Sequence, residues 1–130
     1  MVFAGKRPSN LGVNNGKLAP CPNSPNCVSS QSSDATHQIA PLITSNPESA
    51  IATLKGIIKS LPRTKIITES KDYLYAEFKS ALMGFVDDVE FYLDRKANVI
   101  QVRSASRLGQ SDLGVNRQRI ETIRAQLNKV

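Results

Sequence analysis

Apolar residues recur at helical spacing near the middle of the chain. The repeat runs between two prolines, and its members are Ala50, Ile51, Leu54, Ile57, Ile58 and Leu61. Pro47 suits the first turn of a helix, Asn46 can cap its N-terminus, and Pro62 cannot continue it. The pattern predicts an amphipathic helix over residues 47–61 with one face in the core.

Four later stretches are predicted to be strands, and apolar and polar residues alternate in the second pair of them. They form two predicted hairpins, Thr64–Glu69 with Tyr73–Lys79 and Phe85–Asp94 with Val99–Arg107. In the second hairpin, the four-residue turn 95–98 pairs Asp94 with Val99. Alternation then places Phe91 on a dry face of the sheet and Glu90 on a wet face.

A second helical repeat lies near the end of the chain. The helix is predicted over about 112–128, with Asp112 or the serine before it as the cap. Its apolar positions are Leu113, Ile120, Ile123 and Leu127. Asn116 falls on the same stripe, where its amide would have to be satisfied inside the protein, by tying down the 20–31 loop or the 107–112 turn.

The element order α-β-β-β-β-α is typical of an α+β fold. We predict a four-stranded antiparallel sheet, made of the two hairpins and covered on one face by the two helices. Six of the seven prolines lie in residues 1–47, too many for a helix or a central strand. We therefore expect a flexible N-terminal tail over 1–17 and a single α+β domain over 18–130, which opens with an irregular Pro-rich segment.

The formal net charge of +6 is concentrated at the two ends of the chain. Residues 1–33 carry three basic side chains and no acidic one, and residues 103–130 carry six against two. This excess favours an anionic partner, such as an acidic protein surface, a lipid headgroup or a small anion, although a merely solvated basic surface is the simpler interpretation. Nucleic acid is not expected, because the chain has few aromatic side chains and no tryptophan on which single-stranded bases could stack.

Residues 100–119 carry four arginines and several small polar residues on a strand, a turn and the start of a helix. The predicted register places Glu90 opposite Arg103, with Asp88 diagonal to both Arg103 and Arg107. One interpretation is an anion site, since the guanidinium fork binds phosphate or carboxylate at two points. Its candidate binding residues are Arg103, Ser104, Ser106, Arg107, Asn116, Arg117 and Arg119, and its orienting acids are Asp88, Glu90 and Asp112.

The alternative interpretation is that these arginines pair with acids and serve only the fold. Arg117 and Arg119 lie in the first turns of the last helix, where positive charge is unfavourable unless an acid or a ligand compensates it. Asp112, Glu121 or Asp87 could supply that compensation. In a purely structural cluster, replacing an arginine should cause a clear loss of stability, whereas in a ligand site it should cause a loss of binding.

We expect a non-enzymatic binding or assembly module with no cofactor and no metal site. The main alternative is an enzyme acting on a phosphorylated or acidic small substrate, with Asp88 or Glu90 as general base. An enzyme would hold a carboxylate of raised pKa in a concave pocket beside the arginines, whereas a binding module would present a flatter basic face. Alternation puts Asp87 on the opposite face from both acids, which argues against a shared cation.

Cys21 and Cys27 lie in a proline-stiffened loop and are expected to form either a disulfide or a pair of buried thiols. His37 is the one histidine of the chain, so a zinc site lacks ligands. Nothing local supports a cysteine nucleophile activated by His37. A disulfide across this loop would contribute roughly 2 kcal/mol and would imply an oxidising compartment.

No apolar run approaches the roughly 18–20 residues that span a bilayer, and the N-terminus lacks the apolar core of a signal peptide. The sequence as written therefore predicts a soluble protein on the cytoplasmic or stromal side. A lumenal or periplasmic location would require that an upstream signal had been removed.

Three spaced motifs resemble a known family. They are PCPNSPNCVSSQ at 20–31, FVDDVEF at 85–91, and the arginine-rich VRSASRLG at 102–109 with DLGVNRQR at 112–119. Together they resemble the domain-of-unknown-function family 1499 over about residues 18–127. The resemblance implies a shared fold and these signature residues, but no reaction. Members in photosynthetic lineages are often linked to the thylakoid, so the resemblance also implies peripheral association with a photosynthetic membrane.

Overall fold

A computed structural model describes residues 4–109 and 111–130. Residues 1–3 of the predicted tail and Gln110 of the predicted turn lie outside these described residues. Within them the chain forms, in order, β1 (Cys27–Ser29), α1 (Ala50–Lys59), β2 (Thr64–Glu69), β3 (Tyr73–Lys79), β4 (Val86–Asp94), β5 (Val99–Ser106) and α2 (Val115–Leu127). A 3₁₀ turn at Pro47–Ser49 leads into α1. The protein is an α+β domain with two helices and an antiparallel sheet.

In the described part of the chain, the sheet has five strands rather than the four predicted, in the order β1-β5-β4-β3-β2. The additional strand is β1, which pairs antiparallel with β5 and places Cys27 opposite Ala105 and Ser29 opposite Arg103. Three residues are too few to show alternation, and they directly follow a loop rich in proline and asparagine. Pairing with the free edge of β5, rather than a local pattern, defines this strand.

The predicted register of the second hairpin is confirmed. β4 and β5 pair Asp94 with Val99 and Glu90 with Arg103. β3 lies along the other edge of β4 and pairs Tyr75 with Glu90. The two hairpins therefore lie side by side, and side chains of β3 come against the acids of β4.

Both helices begin later than the sequence predicts. The 3₁₀ turn precedes α1, and the Asn46 side chain makes no capping hydrogen bond. α2 starts at Val115, because Leu113 and Gly114 both have positive φ, 54° and 81°. Leu113 is therefore 95% exposed instead of lying on the apolar stripe. Asp112 still acts at this helix end, since its carboxylate accepts the main-chain N–H of the second helical residue.

Both helices pack on one face of the sheet, as predicted, and the hydrophobic core lies in this layer. Its buried side chains include Leu54 and Ile58 from α1, Ile120 and Ile123 from α2, and Leu74, Val89, Phe91, Ile100 and Val102 from the sheet. Burying each side chain of this size stabilises the fold by about 1.5–3 kcal/mol. This apolar layer is the main source of stability.

The opposite face of the sheet is polar, as predicted, but it is buried rather than wet. Glu90 is 0% exposed and Arg103 is 5% exposed. They are covered by main-chain groups of residues 4–26, here called the N-terminal segment. The Gly12 N–H donates to Glu90, and the Pro20 carbonyl accepts from Arg103. A flexible tail over 1–17 stays a prediction, and in the structure Gly12 from that range lies on this face.

Candidate functional site

The candidate site residues divide between the two faces of the sheet. Successive residues of a strand point to opposite sides, so Arg103 faces the N-terminal segment while Ser104 faces α2. One group, here called the polar-face group, contains Arg103, Arg107, Asp88 and Glu90. The other, the helix-side group, contains Ser104, Ser106, Asp112, Asn116 and Arg119. Arg117 belongs to neither group, because it contacts the loop at residues 36–38.

Arg107 is engaged by Asp88 of the polar-face group and by Glu77 of β3. Its Nε donates to Asp88 Oδ2 at 2.9 Å, and its Nη2 donates to Asp88 Oδ1 at 2.8 Å and to Glu77 Oε2 at 2.6 Å. The hydrogen bonds to Asp88 hold the pKa of Arg107 above its usual range. A guanidinium with these partners has little capacity left for an external anion.

Residues of β3 and the N-terminal segment complete this cluster, and the sequence did not predict them. Tyr75 donates from its hydroxyl to Asp88 Oδ1 at 2.5 Å, and Arg7 donates to Glu77 Oε2 at 2.6 Å. Although burial alone would raise it, hydrogen bonds from Arg7 and Arg107 lower the pKa of Glu77. The signal that could have found them is the pairing of β3 with β4, which places Glu77 opposite Asp88.

Glu90 and Arg103 form a pair that is buried but poorly matched. Glu90 Oε2 accepts from the Gly12 N–H at 2.7 Å and from the Tyr73 hydroxyl at 2.6 Å, while Oε1 lies 3.8 Å from Arg103 Nη1. Arg103 Nη2 donates to the Pro20 carbonyl at 3.2 Å. Burial raises the pKa of Glu90 and lowers the pKa of Arg103. Within residues 4–109 and 111–130, Glu90 Oε1 and Arg103 Nε are the two buried side-chain polar atoms without a hydrogen-bond partner.

A cavity of about 800 Å³ adjoins this pair. It is lined by residues 9–14, 17–21, 29 and 31–34. Its lining includes Gly12 and Pro20, which hydrogen-bond to Glu90 and Arg103. The pair therefore lies directly behind the wall of the cavity, separated from it by the N-terminal segment.

Asn116 organises the helix-side group. Its Oδ1 accepts from Ser104 Oγ at 2.6 Å and from Arg119 Nη1 at 2.8 Å. Its Nδ2 donates to the Asn26 carbonyl at 3.1 Å and to Asp112 Oδ2 at 2.7 Å. The expectation that Asn116 ties down the neighbouring loop and turn is confirmed for both. The amide of this fully buried side chain is satisfied within the protein.

The arginines of α2 have internal partners. Arg119 Nη2 lies 2.7 Å from Asp87 Oδ2, and its guanidinium lies 4.8 Å from the centre of the Phe78 ring. Asp87 is thus the acid that compensates this arginine. Arg117 donates to the main-chain carbonyls of Gln38 and Thr36 at 2.8 and 3.2 Å.

Cys21 and Cys27 form a disulfide, with 2.09 Å between the sulfur atoms. The bond joins the wall of the cavity to β1 and excludes a free cysteine nucleophile at either position. His37 has a separate role. Its Nδ1 lies 2.7 Å from Asp34 Oδ2 and its Nε2 lies 2.8 Å from the Ser24 carbonyl, so the ring holds two loop segments together.

Reduction of this disulfide is expected to lower the free energy of unfolding by about 2 kcal/mol, because closing a short loop restricts the unfolded chain. Urea unfolding with and without reductant measures the difference. The Cys21→Ser/Cys27→Ser double variant is the control and should match the reduced protein in both conditions. Equal stability of the wild type with and without reductant would contradict the prediction.

These features define a small α+β domain with an apolar layer under its helices and a buried polar layer under its N-terminal segment. The chain belongs to the family described as "Protein of unknown function (DUF1499)", whose profile matches residues 17–127. Neither the curated proteins nor the solved structures contain a significant match to the chain. No helix in the described part of the chain is both long enough and apolar enough to cross a membrane.

Proposed function

We propose that this chain is a non-enzymatic binding module whose ligand site is Arg103 together with Glu90. One observation carries the proposal: Arg103 Nε and Glu90 Oε1 are buried without partners, although such atoms are nearly always paired inside proteins. Leaving a buried polar atom unpaired costs about 1–3 kcal/mol. A ligand that pairs with both atoms would recover that free energy on binding.

A small anion with a carboxylate or phosphate group fits the chemistry of this pair. Arginine stays charged in proteins, so Arg103 Nε can donate to an anionic oxygen. Burial raises the pKa of Glu90, and a protonated Oε1 would donate to a second oxygen of the same anion. An acidic protein side chain or a lipid headgroup presents the same group, which agrees with the membrane association that the family resemblance implies.

Entry of the ligand requires movement of the N-terminal segment, because Gly12 and Pro20 hydrogen-bond to the pair. The flexible tail predicted over 1–17 would supply this movement at Gly12, and the Pro20 carbonyl would have to be displaced as well. The adjoining cavity gives a ligand room beside the pair, and Lys17 in its lining adds a positive charge that attracts anions.

Small anions are expected to raise the melting temperature in a panel of phosphate, sulfate, acetate and citrate at constant ionic strength. A ligand at a hundred times its Kd stabilises the fold by about 2.7 kcal/mol. Arg103→Gln is expected to abolish the shift. Arg117→Gln is the matched control and should keep it, because that guanidinium binds two main-chain carbonyls. If no anion shifts the melting temperature of the wild type, the proposal is contradicted, and water is the partner of Arg103 Nε and Glu90 Oε1.

The pH dependence of anion binding tests the role of Glu90. Because the proposed complex contains protonated Glu90, affinity should fall as the pH rises through its raised pKa, by about tenfold per unit above it. Glu90→Gln, which keeps the shape and cannot ionise, should bind with little pH dependence over that window. Equal pH dependence in the wild type and in this variant would remove Glu90 from the site.

An enzyme acting on a phosphorylated or acidic substrate is the second candidate, because the raised pKa of Glu90 suits a general base. Phosphate and carboxylate esters of the most stabilising anion separate the two functions. Turnover that is lost in Glu90→Gln while binding persists would favour the enzyme. We assign Arg107, Arg117 and Arg119 structural roles, which their internal partners support.

The Cys21–Cys27 disulfide supports an oxidising compartment, because disulfides are rare in reducing ones. We therefore favour the lumenal or periplasmic location over the cytoplasmic or stromal one. A peripheral position at a photosynthetic membrane is compatible with either side of that membrane.

A further inference from the structure

Large apolar side chains are exposed in two turns that border the same recess. Leu82 and Met83 lie in the connection between β3 and β4, and Leu113 and Val115 lie at the start of α2. Leu82 is 90% exposed and Leu113 is 95% exposed, while the other two are about half exposed. Single exposed apolar residues are ordinary, but several together mark an interaction surface. These four residues are here called the apolar end.

The two turns border one concave recess of about 290 Å³. Ser80, from the β3–β4 connection, and Val115, from α2, line it together. Leu61 and Phe78 form apolar parts of its wall. The recess therefore lies between the two turns, and Val115 of the apolar end forms part of its wall. Leu82 and Leu113 are each two residues along the chain from a residue that lines the recess, which has room for a large apolar side chain.

The charges beside the recess favour an acidic partner. Arg63 and Lys79 line it and are exposed. The nearby acids are engaged internally, since Asp87 pairs with Arg119 at 2.7 Å and Asp112 accepts N–H groups at the start of α2. The surface that a partner would meet is thus apolar and positively charged.

We propose that the apolar end docks an acidic amphipathic segment of a partner protein. One apolar side chain of that segment occupies the recess, and its carboxylates lie against Arg63 and Lys79. A bilayer would contact the projecting Leu82 and Leu113 but would have no use for the recess, so the geometry favours a protein segment. This surface is on the α2 side of the sheet, whereas Arg103 faces the N-terminal segment, so the proposal does not depend on the anion site.

Selection from a random dodecapeptide display library against the full chain tests this proposal. Peptides that combine Asp or Glu with Leu, Phe or Trp at helical spacing are expected to be enriched. Synthetic copies should lose about tenfold or more in affinity for the Leu82→Glu/Leu113→Glu variant. Both replaced side chains are exposed, so the variant should keep the wild-type melting temperature. Ile43→Glu is the matched control, because Ile43 is 64% exposed near the C-terminal end of α2.

Two results would overturn the proposal. One is a selection that enriches no acidic amphipathic peptides, or peptides that bind the double variant as tightly as the wild type. The other is cosedimentation of the wild type, but not of the double variant, with vesicles of equal parts phosphatidylcholine and phosphatidylglycerol. That second result would assign the apolar end to a membrane surface.

Discussion

Replacement of Arg107 by alanine is expected to lower the free energy of unfolding by about 3–5 kcal/mol. The guanidinium holds Asp88 through two hydrogen bonds and Glu77 through a third, and its side chain is almost fully buried. Removing the guanidinium leaves the buried Asp88 carboxylate without its counter-charge. Water has little access to this carboxylate and cannot fully replace the lost hydrogen bonds. Urea unfolding of the wild type and Arg107→Ala at neutral pH measures the loss.

Two variants show whether the loss comes from the stranded acid. Arg117→Ala removes a partly exposed arginine that contacts two carbonyls, and it should cost no more than about 1 kcal/mol. Asp88→Asn combined with Arg107→Met should recover part of the stability of Arg107→Ala, because the buried charge is removed with its partner. If Arg107→Ala unfolds like the wild type and loses an anion-induced thermal shift instead, Arg107 belongs to a ligand site and its structural role is wrong.

Turn length and strand alternation were sufficient to predict the second hairpin and the pairing of Glu90 with Arg103. A four-residue turn sets the register, and alternation then places Glu90 opposite Arg103, as β4 and β5 have it. The same rules could not predict that this face is buried. Its cover is main chain from a Pro-rich segment, and the hydrogen bond from the Gly12 N–H to Glu90 leaves no side-chain pattern in the sequence.

Alternation also explains why the predicted site is not one site. Arg103 and Ser104 are adjacent in a strand, so their side chains must lie on opposite faces. The prediction grouped them because they are neighbours in the arginine-rich stretch. Tyr73, Tyr75 and Glu77 were missed for a different reason: their contacts depend on how the two hairpins lie side by side, and the 80–85 connection gives no register for that pairing.

The two groups differ in spare hydrogen-bonding capacity. In the helix-side group, Asn116 and Arg119 have matched partners, as Arg107 and Asp88 do on the polar face. On the polar face, Arg103 Nη1 lies 3.8 Å from Glu90 Oε1. Within the described part of the chain, the acceptor Glu90 Oε1 and the donor Arg103 Nε both lack a hydrogen-bond partner. This difference supports the proposal that the arginine-rich stretch contains structural arginines around one pair that binds a ligand.

Asn116→Ala is expected to lower the free energy of unfolding by about 3 kcal/mol, because several buried groups lose a partner together and each such loss costs about 1–3 kcal/mol before solvent relieves part of it. The groups affected are Ser104 Oγ, Arg119 Nη1, the Asn26 carbonyl and the Asp112 carboxylate. These bonds join α2 to β5 and to the loop before β1, so their loss should also loosen the start of the helix. Urea unfolding gives the free energy, and amide hydrogen exchange at residues 115–120 reports the local effect.

Asn116→Asp separates the hydrogen bonds of this side chain from its volume. The carboxylate keeps an acceptor for Ser104 and Arg119, but it replaces the Nδ2 donor that lies 2.7 Å from Asp112 Oδ2 with a second negative oxygen. Two carboxylates at that distance cannot both ionise without repulsion, so one must bind a proton. The folded variant then binds more protons than the unfolded chain, and its stability relative to the wild type should fall as the pH rises above the ordinary aspartate value of about 3.9.

The control for Asn116→Ala is Asn128→Ala, at the exposed end of α2, which should leave stability nearly unchanged. An Asn116→Ala variant as stable as Asn128→Ala would mean that water replaces the whole network, and Asn116 would lose its structural role.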